Sequence, residues 1–382
     1  MGADSTTTRM IAAYYQEATP KMFLSSLFSA PRRNFYRGRT FQFDVVRSGE
    51  QVSPVITDLS TGYIMNSNDI YDNKEFTAPV LHEAIPINSW DLLNRRRGRN
   101  PFMDPEFRAD LILQMFEGMR LCEAKIRRNI ELQASQILTT GELALYDAQG
   151  TASFTVDFFP KATHFPTAGT AWSAGGADPI QDLSSLAQVI RQDGKNDVTD
   201  VLMGESSYHY FQRNTIVQAH FDNRRINNGD LVPMQLRGMG GQYRGTVDID
   251  NYKVNIWTYN AYYEHPSTGV LTKYIPDNRA IMLTTGDSPD MMMPPEGRPE
   301  MINNTRLEAS FGAIPNIGQE LGVTRRLIPE LPGRFSNAGR QMDLTTNMWM
   351  SLDGSQLYGS VGTRPLLLPK GIDTFGCLNT GV

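Results

Sequence analysis

An α+β fold organised on one very long helix is what this sequence predicts, and three observations predict it. In residues 104–141, DPEFRADLILQMFEGMRLCEAKIRRNIELQASQILTTG, the apolar residues Phe107, Leu111, Met115, Met119, Cys122, Ile126, Ile130, Ala134 and Ile137 recur in steps of three and four. That spacing lays one apolar stripe along a helix. The second observation is a β-like tract at 41–90, where FQFDVV, VSPVITDL, GYIM and APVLHEAIPI are separated by Gly, Asn, Asp and Pro. The third is a composition shift at GTAWSAGGADP, followed by a second lobe of mixed helix and strand signals.

With 382 residues and 40% apolar content, the chain can bury a substantial core as two lobes. No run approaches the roughly 18 consecutive apolar residues of a membrane helix, and the first residues hold no basic-then-apolar signal pattern, so neither a span nor a leader is expected. A net charge of -5 argues against bulk nucleic-acid binding, which needs many unopposed cations. Cys122 and Cys377 are too far apart in sequence to describe a disulfide framework or a metal cluster, and both are expected to be reduced.

Taken in order, residues 1–40 read as an arm with little periodicity, apart from an apolar run at 22–28 that fits a small helix or an anchoring strand. The piece PRRNFYRGR interleaves Arg32, Arg33, Arg37 and Arg39 with Phe35 and Tyr36. It suits either a stacking site for single-stranded nucleic acid or arginines that pair with a neighbour's carboxylates, and the second use is preferred. Next, residues 52–83 read as two long strands around an irregular tip, SNDIYDNKEF, too thin to bury a core of its own. Isolated two-stranded ribbons are marginal in water, so this one is expected to lie against another molecule through Val55, Ile56, Tyr63, Ile64, Tyr71, Lys74 and Phe76. A flap over an active site is the competing reading.

Arg95, Arg96, Arg97 and Arg99 then stand just ahead of Asp104, Glu106 and Asp110, which favours interface ion pairs over a nucleic-acid patch. The long helix starts on an Asp104 cap with Pro105 at its first position, and Gly141 offers a left-handed stop. From residue 105 to 138 it would run about 50 Å, a spine for the molecule. Glu123 with Arg127, and Arg127 with Glu131, are placed on its wet side as i, i+4 pairs. ELALYDAQGTASFTVDFFP follows as a hairpin beside the spine, with Phe154, Val156 and Phe158 on one face. Asp178 and Pro179 cap a second helix with Ile180, Leu183, Leu186, Ala187 and Ile190 on one face and Gly194 as its stop. VTDVLMG reads as a buried strand, SSYHYFQRN and TIVQAHFD as short helices, and GMGGQYRG as a mobile loop. The segments 247–264 and 268–283 read as strands, and the tail returns to β character in QLYGSV and RPLLLPKGIDTFGCLN.

Catalytic templates fail at specific positions. His82-Glu83 begins a zinc-protease motif, but Pro86 stands where the second ligand belongs. Gly204-Glu205-Ser206 begins a nucleophile elbow, but Tyr208 replaces its closing glycine. The loop at 238–245 lacks the Lys-Ser/Thr of a phosphate loop. His82, His164, His209, His220 and His265 are scattered and read as structural. No catalytic, cofactor or metal site is expected, which leaves a building block.

The order of parts, with VSPVI, EFTAPVLHEA, DPEFR, VTDVLMG, YIPDNRAIML and TRPLLLPKGIDTFGC in series, resembles the major capsid proteins of tailed phages. The similarity is to the Hong Kong 97-like fold and, within it, the phage lambda head protein E family. The resemblance implies an N-terminal arm at 1–40, an E-loop ribbon at 41–90, a peripheral domain with the spine at 91–175, an axial domain at 176–335 and a C-terminal return at 336–382. It implies homo-oligomers, hexamers and pentamers of an icosahedral shell around double-stranded DNA, with no sequence-specific DNA contacts, assembled in the host cytoplasm into a virion. A separate scaffolding protein, a portal and a decoration protein are the implied partners, and no membrane is involved. Some relatives crosslink a ribbon lysine to a neighbour; Lys74 has no nameable partner here. An encapsulin-like compartment shell and a soluble hydrolase with a flap are the alternatives.

Overall fold

The computed structural model describes residues 22–28, 35–36, 40–46, 71–77, 80–88, 107–146, 151–221, 240–250, 252–265, 268–284, 307–312, 314, 344–351, 355–369 and 371–382. In chain order these build helix α1 (Phe23–Ser26), strands β1 (Phe35–Tyr36), β2 (Thr40–Val46), β3 (Tyr71–Thr77) and β4 (Leu81–Asn88), and the long helix α2 (Phe107–Thr140). Strands β5 (Glu142–Tyr146) and β6 (Ala152–Asp157) follow, then α3 (Pro179–Gly194), β7 (Asp200–Met203), α4 (Glu205–Arg213) and α5 (Thr215–Phe221). Next come β8 (Gly241–Ile249), β9 (Tyr252–Tyr259), β10 (Tyr262–Glu264), β11 (Leu271–Lys273) and β12 (Arg279–Leu283). The chain closes with β13 (Leu307–Gly312), β14 (Thr345–Met350), β15 (Gln356–Thr363), β16 (Pro365–Pro369) and β17 (Phe375–Asn379).

The apolar stripe of α2 is continuous over its described side chains: Met115, Met119, Cys122, Ile126, Ile130, Ala134 and Ile137 are all buried. Gly141 ends the helix at φ 72°, its N–H donating to the Ile137 carbonyl at 2.8 Å. A side chain there would also strike Pro160, 2.4 Å from its Cγ. Strands β4 and β15 cover the first half of the helix, where Ile85 packs on Gly118 and Gly359 brings the β15 backbone onto Met115 and Met119. The second half is enclosed on more sides, so that Glu131, Leu132, Gln133, Ala134 and Ser135 are buried in succession. Ser135 donates its hydroxyl to the Tyr274 carbonyl, and the Gln136 side chain accepts from the Ala144 amide at 3.1 Å. Glu123 and Arg127 pair at 2.8 Å as the spacing predicts. Glu131 does not lie on a wet face, because elements from far along the chain close over that side of the helix.

A five-stranded sheet in the order β17-β12-β7-β9-β8 stands between two apolar clusters. Leu202, Ile281, Leu283 and Cys377 face the cluster built on α2, while Val201, Met203, Ala280, Met282 and Leu378 face the one built on α3. Burial on both faces is why VTDVLMG and RAIML are continuously apolar instead of alternating. Helix α3 supplies the second cluster with Ile180, Leu183, Leu186, Ala187 and Ile190, and starts on Asp178, whose carboxylate accepts from the Gln181 amide at 3.0 Å. Strands β14, β15 and β4 form an antiparallel sheet on the spine, and β1, β13 and β16 form a third. Residues 336–382 thus contribute strands to all three of these sheets.

Three local expectations are corrected. The ribbon pairs β2 with β3, from Thr40↔Thr77 to Val46↔Tyr71, so residues 71–76, expected at an irregular tip, form a strand, and β4 belongs to another sheet. Ladder bonds use the backbone, so the polar side chains of YDNKEFT do not forbid them. Residues 241–245, expected in a mobile loop, begin β8, with a bulge between Tyr243 and Gly245 where Gly245 has φ 137°. At the end of α3 the left-handed residue is Lys195, at φ 59°, and not Gly194. Gly194 is needed because a Cβ there would lie 2.2 Å from the Asp373 carbonyl oxygen.

Candidate assembly surfaces

Arg32, Arg33, Arg37, Arg39, Val55, Ile56, Tyr63, Ile64, Arg95, Arg96, Arg97 and Arg99 lie outside the described residues, as do Asp104, Pro105 and Glu106. Tyr71, Lys74 and Phe76 lie in β3, opposite Val46, Phe43 and Phe41. Lys74 is therefore in the middle of a ladder and not beside a tip. Tyr36, part of the alternative stacking site, is half-buried within the subunit. The Arg364 guanidinium stands 5.4 Å from its ring centroid, and Gly312 lies so close that a Cβ would come within 2.8 Å of Tyr36 Cζ. Arg364 occupies a ring face that a base would need.

The apolar run at 22–28 takes the small-helix alternative, and its seat is a joint between segments distant in sequence. Phe23, Leu24 and Phe28 are buried, with the Phe23 ring 5.9 Å from Trp257 and 5.4 Å from Tyr259. Under it the Glu131 carboxylate accepts from the Leu24 amide at 2.7 Å, the Ser25 amide at 2.9 Å and the Tyr259 hydroxyl at 2.7 Å. Burial pushes the Glu131 carboxyl above its usual range, and the hydrogen bonds from Ser25, Leu24 and Tyr259 oppose that shift. Burial and the adjacent Glu131 charge push the Tyr259 phenol up in turn. The sequence marks Glu131 only as a wet-side partner of Arg127, since its burial depends on which distant groups close over it.

Among the exposed large apolar side chains, two groups are brought together by strand register. On the outer face of the spine sheet, Trp349 stacks on Tyr358 with centroids 5.3 Å apart and planes 8° off parallel, and Pro86 is the next residue across the ladder. The β10–β11 hairpin exposes Tyr262, Val270 and Leu271, the last at 70%. Lys273, on the same face, pairs with Glu205 and Asp277, each at 2.6 Å, and both carboxylates hold its ammonium above its usual range against the opposing pull of burial.

His164, Cys122 and Cys377 are enclosed instead of displayed. His164 is buried, with Nδ1 2.9 Å from the Phe375 carbonyl and Nε2 3.1 Å from Asp193, which is a structural setting. Burial pushes the Cys377 thiol up to about 12 and raises that of Cys122, so neither is poised as a nucleophile. Among the described residues no group of His, Cys, Asp and Glu could hold a metal ion, and no helix is long and apolar enough to cross a membrane.

A family model described as phage major capsid protein E matches residues 6–294. The chain belongs to that family. It is a major capsid protein, a structural component of the phage virion that builds the head shell. Its α+β architecture is the Hong Kong 97-like capsid fold. A crystal structure given as that of a prophage capsid protein from E. coli CFT073 shares the fold, with a TM-score of 0.60 and 13% identity, covering 94% of this chain and 93% of that one. The capsid of Ralstonia phage GP4 gives 0.48 at 10% identity over 96% of this chain and 91% of that one. The holo-SrpI encapsulin complex of Synechococcus elongatus PCC 7942 gives 0.37 at 11% identity over 96% and 92%. No curated protein matches the sequence.

Proposed function

We propose that this capsid protein assembles as pentamers and hexamers of an icosahedral head around double-stranded DNA, in the host cytoplasm, without catalysing a reaction. The observation that carries the reading is the β2–β3 ribbon, which pairs with no third strand among the described residues. Such a ribbon is marginal in water by itself and gains its stability against a sister copy. In this reading residues 1–40 are an arm, 41–90 an E-loop, 91–175 a peripheral domain, 176–335 an axial domain and 336–382 the return. Arg32, Arg33, Arg37, Arg39, Arg95, Arg96, Arg97 and Arg99 make ion pairs between copies. Val55, Ile56, Tyr63, Ile64, Tyr71, Lys74 and Phe76 contact the neighbour beneath the ribbon. The Trp349–Tyr358 stack and the Leu271 hairpin are further surfaces for assembly. A scaffolding protein, a portal and a decoration protein are the remaining partners. The net charge of -5 suits a container, since an adhesive lining would hinder packing of a polyanion.

Deleting residues 55–76 tests this. The expected product is a soluble, folded chain that forms no shells; particles of normal size in electron micrographs of the deletion would refute the proposal.

A further inference from the structure

We propose that Glu131 is a latch that fixes the root of the amino-terminal arm, joining α1, the spine and the five-stranded sheet in one hydrogen-bonded knot. What the arm does rests on the assembly reading above; how it is held rests on geometry alone.

Helix α1 has four residues, and its Met22 cap position supplies no side-chain bond to the first turn. A helix that short does not persist alone, and the N–H groups of its first turn need acceptors. Glu131 provides them from a residue 107 positions away, through both of its oxygens. The same carboxylate accepts the Tyr259 hydroxyl from β9. An ionised carboxylate only accepts, so three donors from two other segments converge on a group that is itself 0% exposed.

The dependence runs both ways. Without Glu131, two amides of α1 lose buried acceptors. Without α1, the carboxylate keeps the Tyr259 hydroxyl and loses both backbone donors, a costly state unless water enters as Phe23 and Leu24 leave. The joint therefore has two good states, docked and dry or undocked and wet, with a poor one between them. The seat is shaped for the first: Gly241 carries no side chain where a Cβ would fall 2.4 Å from the Phe23 ring. Because Tyr259 sits in the five-stranded sheet and Glu131 on the spine, a shift of the sheet along the spine withdraws one of the three donors. The hold on the arm then weakens. The latch thus links the pose of the sheet to the freedom of the arm.

Hydrogen exchange of the full-length chain tests this directly. Glu131→Gln keeps the shape but turns a donor toward an N–H, and is expected to speed exchange of the Leu24 and Ser25 amides about tenfold or more. The amides of Leu202 and Ile281, inside the sheet, should not change. Tyr259→Phe removes the hydroxyl alone, and should speed Leu24 and Ser25 by about threefold or more, which keeps the idea testable if the Gln variant does not fold. Unchanged exchange at Leu24 and Ser25, or acceleration shared equally by Leu202 and Ile281, would overturn the latch. Shell yield is read alongside. Faster exchange with normal shells leaves the latch standing and removes the arm from assembly; unchanged exchange with failed shells does the reverse.

Discussion

At the end of α3 the glycine and the left-handed residue are neighbours instead of the same residue, and a pair of substitutions there should have opposite signs. Replacing Gly by Ala in a helix ordinarily stabilises by roughly 1 kcal/mol, through backbone entropy. At Gly194 the added Cβ would meet the Asp373 carbonyl oxygen at 2.2 Å, its carbon at 2.9 Å and Thr374 Cα at 3.0 Å. All three are backbone atoms, so no rotamer change relieves the clash. The segment Ile372–Thr374 must retreat by about 1 Å to reach ordinary contact, and it leads straight into β17, whose Phe375 and Cys377 are buried. Overpacking of this kind costs about 1–3 kcal/mol, and the rigid obstacle puts it at or above the upper end. The net expectation for Gly194→Ala is a loss of about 2 kcal/mol. Lys195→Gly relieves a left-handed conformation worth about 1–2 kcal/mol, offset by glycine's entropy and by the Lys195 Nζ bond to the Gln192 carbonyl at 2.7 Å. A gain of up to about 1 kcal/mol remains. Urea unfolding of the unassembled chain, followed by circular dichroism, reads both as midpoint shifts. A raised midpoint for Gly194→Ala would refute the close-approach account, and so would a fall for Lys195→Gly as large as that for Gly194→Ala.

Ile137→Ala removes a fully buried side chain from the spine and should cost about 2–5 kcal/mol in the same assay, with a loss under about 1 kcal/mol contradicting the enclosure described for that half of the helix. Burial acts to raise the Asp193 carboxyl, but hydrogen bonds from Lys161 and His164 outweigh it and hold the group below its ordinary 3.8. A depressed acid contributes stability above its unfolded value and loses it as pH falls through the folded one. The midpoint of the parent chain should therefore drop more steeply on acidification below 3.8 than that of Asp193→Asn, and parallel pH profiles would contradict the assignment. Gly241→Ala pushes against the Phe23 ring and should speed protease cleavage within residues 22–28 while leaving the urea midpoint within about 1 kcal/mol; unchanged cleavage would show that the seat tolerates a methyl.

Much of the fold was legible because its signals are local. The α2 stripe, the Gly141 stop, the Asp178 cap and the hairpin of β5 with β6 each follow from residues within a few turns of one another. The continuous apolar character of VTDVLMG announced burial on two faces without naming what lay on either. Strand boundaries in 41–90 were misplaced because YDNKEFT looks like a turn by composition, and only its partner TFQFDVV makes it a strand. Along the chain Gly194 looks like a conformational glycine, because its distant neighbour Asp373 is invisible there. Arginine clusters and ribbon residues are visible along the chain as interface candidates, whereas the exposure of Trp349 and Leu271 and the stacking of Trp349 on Tyr358 depend on register and burial.

By itself the sequence determined the class of the protein: a long amphipathic rod, β-rich segments around it, and an order of parts shared with phage capsid proteins. Those features depend on spacing and composition, which the chain carries at every point. Only the tertiary structure decided that Glu131 is a buried junction instead of a surface charge and that a sheet divides two cores. Burial and hydrogen bonding are set by residues more than a hundred positions away, and no local pattern encodes which of them will arrive.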